Sequence, residues 1–387
     1  MGRMGVLKLL CAVGFLAVLA SNIWMMSRWS ESRAVYDDVC YLRQAHLFER
    51  FGLRGIDTNL TFDDDHYLKA KLKEIGFPEW NDPNRIPCHT YIPASDKYVL
   101  QYPPGTGFVL SLFPAGFQVI PLYVLTSVVT VVFSLLALTY ASMLYRLLLA
   151  AAFGDIAIYL MINPTKASYS VAPTMMVCAL AGYLTAKFFV VGPRHRLILL
   201  ALMGLLIGLS VNFRLPNVFL AAGYCLYLAG AFLLARSRET FLFGASFGIA
   251  FLIGIVPTLI ANAINAGSPF STTYGGVDVA PPELNPAVLL SYLVDVQFTL
   301  LAISVAWTAW LWRFDRGYAR PVALLVALNL AVNLIFLHDP SDIYAILYHS
   351  DRHALALDFA VRNARSVRRT GRQKCGLPST GQRLIAV

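Results

Sequence analysis

Charge is what this sequence has least of. Only 14% of its 387 residues are Asp, Glu, Lys or Arg, and 57% are hydrophobic; soluble globular domains carry about a quarter charged residues. That composition excludes an ordinary water-soluble fold. Acidic residues are the scarcer sign, 22 against 31 basic ones, leaving a net charge of +9. The Lys and Arg residues stand at the ends of apolar runs and in the C-terminal tail, not on one compact basic domain, so nucleic acid is excluded as a partner. Cysteine is sparse as well. Cys11, Cys178 and Cys225 lie in apolar segments, where a thiol is a small hydrophobe. Cys40 and Cys88 share a polar region and can bridge if it faces an oxidising compartment. No glycine-rich phosphate loop, tandem repeat or low-complexity linker is present, which removes the usual nucleotide-binding devices.

What is present is a series of long apolar runs. The first, Val6 to Met26, can span a hydrocarbon core of roughly 30 Å, and no small-residue cleavage pattern precedes the Arg28 to Arg33 stretch, so it reads as an uncleaved signal anchor. Further spans are expected at Pro121 to Tyr145, Ile156 to about Tyr169, Val171 to Val191, Leu197 to Asn212, Pro216 to Leu234, Phe241 to Ile264, Val288 to Trp312 and Pro321 to Leu337. The fold class is therefore all-α, a polytopic transmembrane bundle of about nine spans with a large outer first loop. Arg146, Arg194, Arg196, Arg236, Arg238, Arg313, Arg316 and Arg320 fall in the short connections of one side. Positive charge marks the cytoplasmic side, which puts the N-terminus in the cytoplasm. The long loop, residues 27–100, then faces outward with most of the Asp, His, Tyr and Asn residues able to do chemistry. A run from Gly105 to Gln118 is too short to cross and is expected to be an interfacial or re-entrant helix. Residues 1–345 form the membrane domain; residues 346–387 are a basic tail whose outward placement runs against the charge rule.

Several outer residues carry candidate chemistry. Tyr36 to Phe51 reads as a juxtamembrane helix with Asp37, Tyr41, Ala45, Phe48 and Phe51 on one apolar stripe, lying on the membrane. A carboxylate at such an edge is desolvated, which suits a general base, with Arg43 near enough to hold one of the Asp37-Asp38 pair ionised; helix capping by either aspartate is the plainer alternative. Tyr102-Pro103-Pro104-Gly105 opens an apolar helix whose first-turn N–H groups, with Lys97, could hold a phosphate. Arg214 and Lys166 sit at membrane depth near an outer boundary, where an unpaired charge is costly. His66 and His89 share a loop with Asp63, Asp64 and Asp65, but without metal-ligand spacing. Asn59-Leu60-Thr61 matches a glycosylation acceptor triplet.

Together these elements resemble the GT-C superfamily, polytopic glycosyltransferases that use polyprenyl-phosphate-linked sugars, in the branch of protein O-mannosyltransferases and aminoarabinose transferases. The resemblance rests on the acidic pair Asp37-Asp38 after the first span, on Tyr102-Pro103-Pro104-Gly105, on Gly204 through Arg214-Leu215-Pro216, and on Gly267-Ser268-Pro269-Phe270 through Tyr274-Gly275. Members commonly continue with further spans beyond the position of Tyr344, so the chain resembles a C-terminally shortened member. The resemblance implies an inverting sugar transferase in a bacterial inner membrane with its active face in the periplasm. Asp37 and Asp38 would be catalytic, Lys97, Arg214 and Arg43 would bind the donor phosphate, and Tyr41, Tyr102 and Tyr344 would line the substrate. It implies a polyprenyl-phosphate sugar donor, a glycolipid, glycan or protein acceptor, surrounding membrane lipids, no protein-bound metal site and an optional divalent ion. A transporter or flippase, or an inactive scaffold, are the rival readings.

Overall fold

The computed structural model describes residues 2–34, 36–78, 86–140, 168–188 and 192–274, with single positions 147, 151, 306, 324 and 328. The described chain is mostly helical. Helix α1 is Arg3–Met26, α2 Tyr36–Phe51, α3 Tyr67–Glu74, α4 Gly105–Leu110, α5 Val119–Tyr140, α6 Val171–Phe188, α7 Pro193–Val211, α8 Leu220–Ala235 and α9 Arg238–Ala266. Among the described residues α1, α5, α9 and the unit Leu215–Ala235 are long and apolar enough to cross a membrane, while α6 and α7 hold shorter apolar stretches. The expected spans Val288 to Trp312 and Pro321 to Leu337, and the basic tail, lie outside the described residues. So does the span beginning at Ile156, except its last two positions, Ser168 and Tyr169, which belong to a turn leading into α6.

Proline placement explains many of the boundaries. Pro121, Pro173, Pro193 and Pro216 each sit in an opening turn, where the missing N–H is one the helix would not have paired. Ser237 caps α9 by accepting the Thr240 N–H at 3.2 Å, and Gly267 ends it at φ 79°. The interfacial run from Gly105 to Gln118 is helical only to Leu110; Pro114 and the left-handed Gly116 (φ 76°) prevent its extension. The long loop also departs from the all-α expectation. It contains an antiparallel hairpin, β1 (His89–Ile92) with β2 (Lys97–Leu100), in register His89 to Leu100 and Ile92 to Lys97.

The bundle packs α1 on α5, α5 on α6, α6 on α7 and α7 on α9. The α7–α9 crossing is the closest. A Cβ on Gly204 or Gly208 would strike the carbonyl oxygens of Phe247 and Phe251, and one on Gly254 would come within 2.7 Å of Leu205 O, so this small-residue face permits near backbone contact. One turn further along α7, the Asn212 side chain enters α9 beside Pro257. Its Nδ2 donates to Gly254 O at 2.8 Å, and its Oδ1 accepts from Thr258 N at 2.8 Å and Thr258 Oγ1 at 2.7 Å. In an unbroken helix Gly254 O and Thr258 N would pair with each other; at the proline kink the Asn212 amide meets both.

Replacing Asn212 with leucine leaves these two backbone groups without the amide in an apolar interior, a loss of about 1–3 kcal/mol for each group. Thermal unfolding in detergent is expected to fall by several degrees for Asn212→Leu. An unchanged midpoint would show that the α9 ladder closes without the amide.

Candidate functional site

The acidic helix α2 has the bounds expected of it, but not the surroundings. A helix lying on a membrane would bury one stripe; here Asp38 to Ala45 are all buried. Its far side is covered because Leu68 and Leu72 of α3 close over Val39. Its near side meets α4, where Gly107 admits Gln44: a Cβ there would lie 2.5 Å from Gln44 Cγ. Cys40 is bridged to Cys88, and closing a loop with a sequence separation of 48 constrains the unfolded chain by about 4 kcal/mol on the chain-entropy account.

The three consecutive aspartates clasp α2 from outside. Asp63 Oδ1 lies 3.7 Å from Arg43 Nε, Asp64 Oδ1 accepts from Arg50 Nη1 at 2.7 Å, and Asp65 Oδ2 is 2.6 Å from His46 Nε2. Their carboxylates face Arg43, Arg50 and His46 rather than one another, and His66 is exposed in a left-handed conformation, so among the described residues the loop's His and Asp side chains do not converge as metal ligands. Cys40, Cys88 and His89 bring ligand-type atoms within 4.8 Å of one another, but a disulfide offers no thiolate to a metal.

Arg43 is fully buried. It donates from Nη1 to Thr58 O and from Nη2 to Asn59 O, each at 3.0 Å, and Nη1 lies 3.2 Å from His89 Nε2. Burial pulls the guanidinium pKa down to about 10, against the opposing pull of Asp63. His89 Nδ1 donates to Pro87 O at 2.8 Å, so the neutral tautomer that leaves Nε2 as acceptor toward Arg43 satisfies both contacts. The residue is half-buried, and desolvation followed by the Arg43 charge pushes the His89 pKa down to about 3. Arg43 therefore joins α2, the 58–59 turn and the hairpin, instead of lying open to a phosphate.

Asp38 is buried and faces α6. Its Oδ1 accepts from Ser168 Oγ at 2.9 Å and from the Tyr169 N–H at 3.1 Å, so it stabilises the turn that opens α6, where helix-end N–H groups favour an anion. The capping alternative has either aspartate cap its own juxtamembrane helix; Asp38 instead bonds the turn ahead of α6. Asp37 sits beside it in the first turn of α2, with its side chain outside the described residues, as are Tyr344 and Lys166. Tyr41 stacks on Tyr102 at 4.7 Å between centroids, and Tyr102 meets Tyr274 at 6.1 Å. The Ser168–Tyr169 turn is an addition that the sequence did not single out, and Tyr274, quoted only within the Gly267–Gly275 segment, joins the tyrosine row. Lys97 donates to Asp57 Oδ2 at 2.8 Å and to Ile264 O at 3.2 Å, so its ammonium ties the hairpin to the end of α9. Gly105 N, expected as a free donor, is taken by Asn212 O at 2.6 Å. Arg214 stands half-buried on the turn after α7, and its neighbour Phe213 accepts from Thr106 Oγ1 at 3.0 Å through its carbonyl.

These contacts bring the start of α2, the start of α6, the ends of α7 and α9 and the Tyr41–Tyr102–Tyr274 row into one polar layer. That layer combines the Asp38 carboxylate, the stacked tyrosine faces and the Arg214-bearing turn. Compared with known protein families and with curated proteins, the chain matches none.

An unfolded His89 titrates near pH 6.5 and the folded one near 3. Between those values the unfolded chain binds a proton that the folded chain does not, so this contribution is complete above pH 6.5 and declines as pH falls, by up to about 1.4 kcal/mol per pH unit. Thermal unfolding followed from pH 7.5 to 4 is expected to show a steeper loss for wild type than for His89→Gln. Coincident slopes would mean that the imidazole accepts its proton inside the fold.

Proposed function

We propose that this chain is an integral membrane glycosyltransferase that moves a sugar, with inversion, from a polyprenyl-phosphate donor to a hydroxyl of a glycan, lipid or protein acceptor on the outer face of a bacterial inner membrane. The observation carrying this reading is the polar layer in which the acidic first turn of α2 is fastened to the opening of α6 by Asp38 and is followed by the Tyr41–Tyr102 stack. Such a layer, at one end of apolar helices, suits a donor whose lipid lies in the bilayer and whose sugar lies outside. Two further features support the orientation. Arg3, Arg194, Arg196, Arg236 and Arg238 belong to helix ends opposite that layer, the charge distribution of a cytoplasmic side, and the Cys40–Cys88 bridge suits an oxidising compartment.

In this mechanism Asp37 takes the acceptor hydroxyl proton as its oxygen bonds to the anomeric carbon, and the bond from that carbon to the phosphate oxygen breaks. The polyprenyl phosphate leaves with the bonding electrons and needs cationic and N–H partners more than a proton. Arg214, on the turn after α7 beside that layer, is assigned to that phosphate. Asp38 acts as a positioning residue that sets the first turn of α2, and Tyr102 and Tyr274 offer ring faces to the sugar. Dependence on a divalent ion is left to the assay.

The test is sugar transfer from a radiolabelled polyprenyl-phosphate donor in membranes bearing the full chain, with and without added Mg2+ or chelator. Asp37→Asn is expected to reduce turnover by about 10²–10⁴-fold, the usual range for a general base, with donor binding retained; Arg214→Gln is expected to weaken donor binding. Full transfer by Asp37→Asn would overturn the base assignment. If wild type consumes no donor, the transporter or scaffold reading replaces this one.

A further inference from the structure

The proposed chemistry leaves the α8–α9 hairpin unused, although the hairpin holds a cavity of about 300 Å³. Leu228, Phe232, Phe241 and Phe247 line it together with Gly244 and Gly248. The Phe232 and Phe241 rings, 5.9 Å apart, close it toward the hairpin turn. A Cβ at Gly244 or Gly248 would meet nothing within 4 Å, so these glycines do not serve close approach of another described element. Around the cavity Leu226, Leu233, Ile249 and Leu252 are exposed. An apolar lining gives water few partners. An α-helix about 10 Å across would fill more than this volume in one turn of ~5.4 Å, so the cavity suits a single hydrocarbon chain better than another helix.

The turn beside it carries the matching charge. Arg236 and Arg238 are both exposed, and Arg236 holds a left-handed conformation, φ 45° and ψ 35°, where glycine is the usual residue. Strain kept at a non-glycine residue points toward a role for its side chain. Glu239 is the acidic neighbour, so cations outnumber anions on the turn. Ser246 Oγ donates to Leu197 O at 2.9 Å, which brings the beginning of α7, with His195 and Arg196, alongside this same end.

We propose that the α8–α9 hairpin binds one anionic phospholipid, an acyl chain lying in the cavity and the phosphate on Arg236 and Arg238. The site rests on α8 and α9 crossing a membrane as proposed above; it does not depend on sugar transfer. Arginine suits the phosphate through charge-assisted, two-pronged hydrogen bonding. In the proposed orientation the lipid belongs to the cytoplasmic leaflet, where anionic headgroups attract basic segments.

The full chain, purified in mild detergent and given an equal mixture of phosphatidylglycerol and phosphatidylcholine, is examined by native mass spectrometry. Wild type is expected to retain phosphatidylglycerol about thirtyfold over phosphatidylcholine, the scale of two basic residues near a charged headgroup. The pair Arg236→Gln and Arg238→Gln is expected to abolish that preference. The pair Gly244→Leu and Gly248→Leu fills the cavity with better helix formers and is expected to lower retention of both lipids while the unfolding temperature holds or rises. Equal retention of the two lipids by wild type, or undiminished retention by both variants, overturns the site. So does a second copy of the chain that leaves only when the cavity is filled. Carbonate washing of membranes separates the two readings: a chain released into the soluble fraction sinks the membrane reading, whereas a retained chain without lipid preference sinks only the lipid site.

Discussion

Pro257 interrupts α9 with a residue that cannot donate a backbone hydrogen bond, and the Asn212 amide supplies partners for Gly254 O and Thr258 N at that interruption. The consequences reach beyond the helix pair. Gly204 and Gly208 let α7 approach closely enough for the amide to enter. The carbonyl of that same asparagine receives Gly105 N, which fixes the beginning of α4; α4 backs Gln44 of α2, and α2 presents Asp38 to the turn opening α6. A polar contact within the apolar bundle is thus linked through short steps to the layer where the chemistry is proposed. At the end of α9, Asn265 plays a comparable part, accepting from Thr58 N at 2.9 Å and donating to Ile56 O at 2.8 Å.

The contacts around α2 differ greatly in weight. Arg50 with Asp64 is an exposed pair, screened by solvent and of little weight. Arg43 is fully buried, and truncating it would strand the two carbonyls and the carboxylate that it serves; breaking a buried ionic contact commonly costs about 3–5 kcal/mol. Together with the disulfide, Arg43 accounts for how a loop poor in apolar residues holds a fixed form. The acidic triplet refines that form more than it maintains it.

The helices were the legible part. Tyr36 to Phe51 could be read from apolar spacing, and α1, α5, α7, α8 and α9 from unbroken apolar runs, since both signals are local. Arginines gather at alternate helix ends, the signal on which the proposed sidedness rests. What could not be read were pairings across long separations. Nothing beside Lys97 announces Asp57, and nothing beside Arg43 announces His89, so in sequence each reads as a cation available to phosphate. Asp38 looked like one half of a catalytic pair because Ser168 and Tyr169, its partners, lie 130 and 131 positions away. The hairpin escaped notice because each strand has only four residues, too few to establish an alternating pattern. Enclosure of α2 was missed for a related reason: the side that received α3 and the disulfide carries polar residues that resemble a solvated face.

The bond between Thr58 and Asn265 joins residues 207 positions apart. At ~5–20 residues per second, a ribosome needs roughly 10–40 s to make the second partner after the first has emerged. Until the end of α9 is made, the segment that carries the acidic helix lacks this tie, so its full set of contacts is complete only once some two hundred further residues exist.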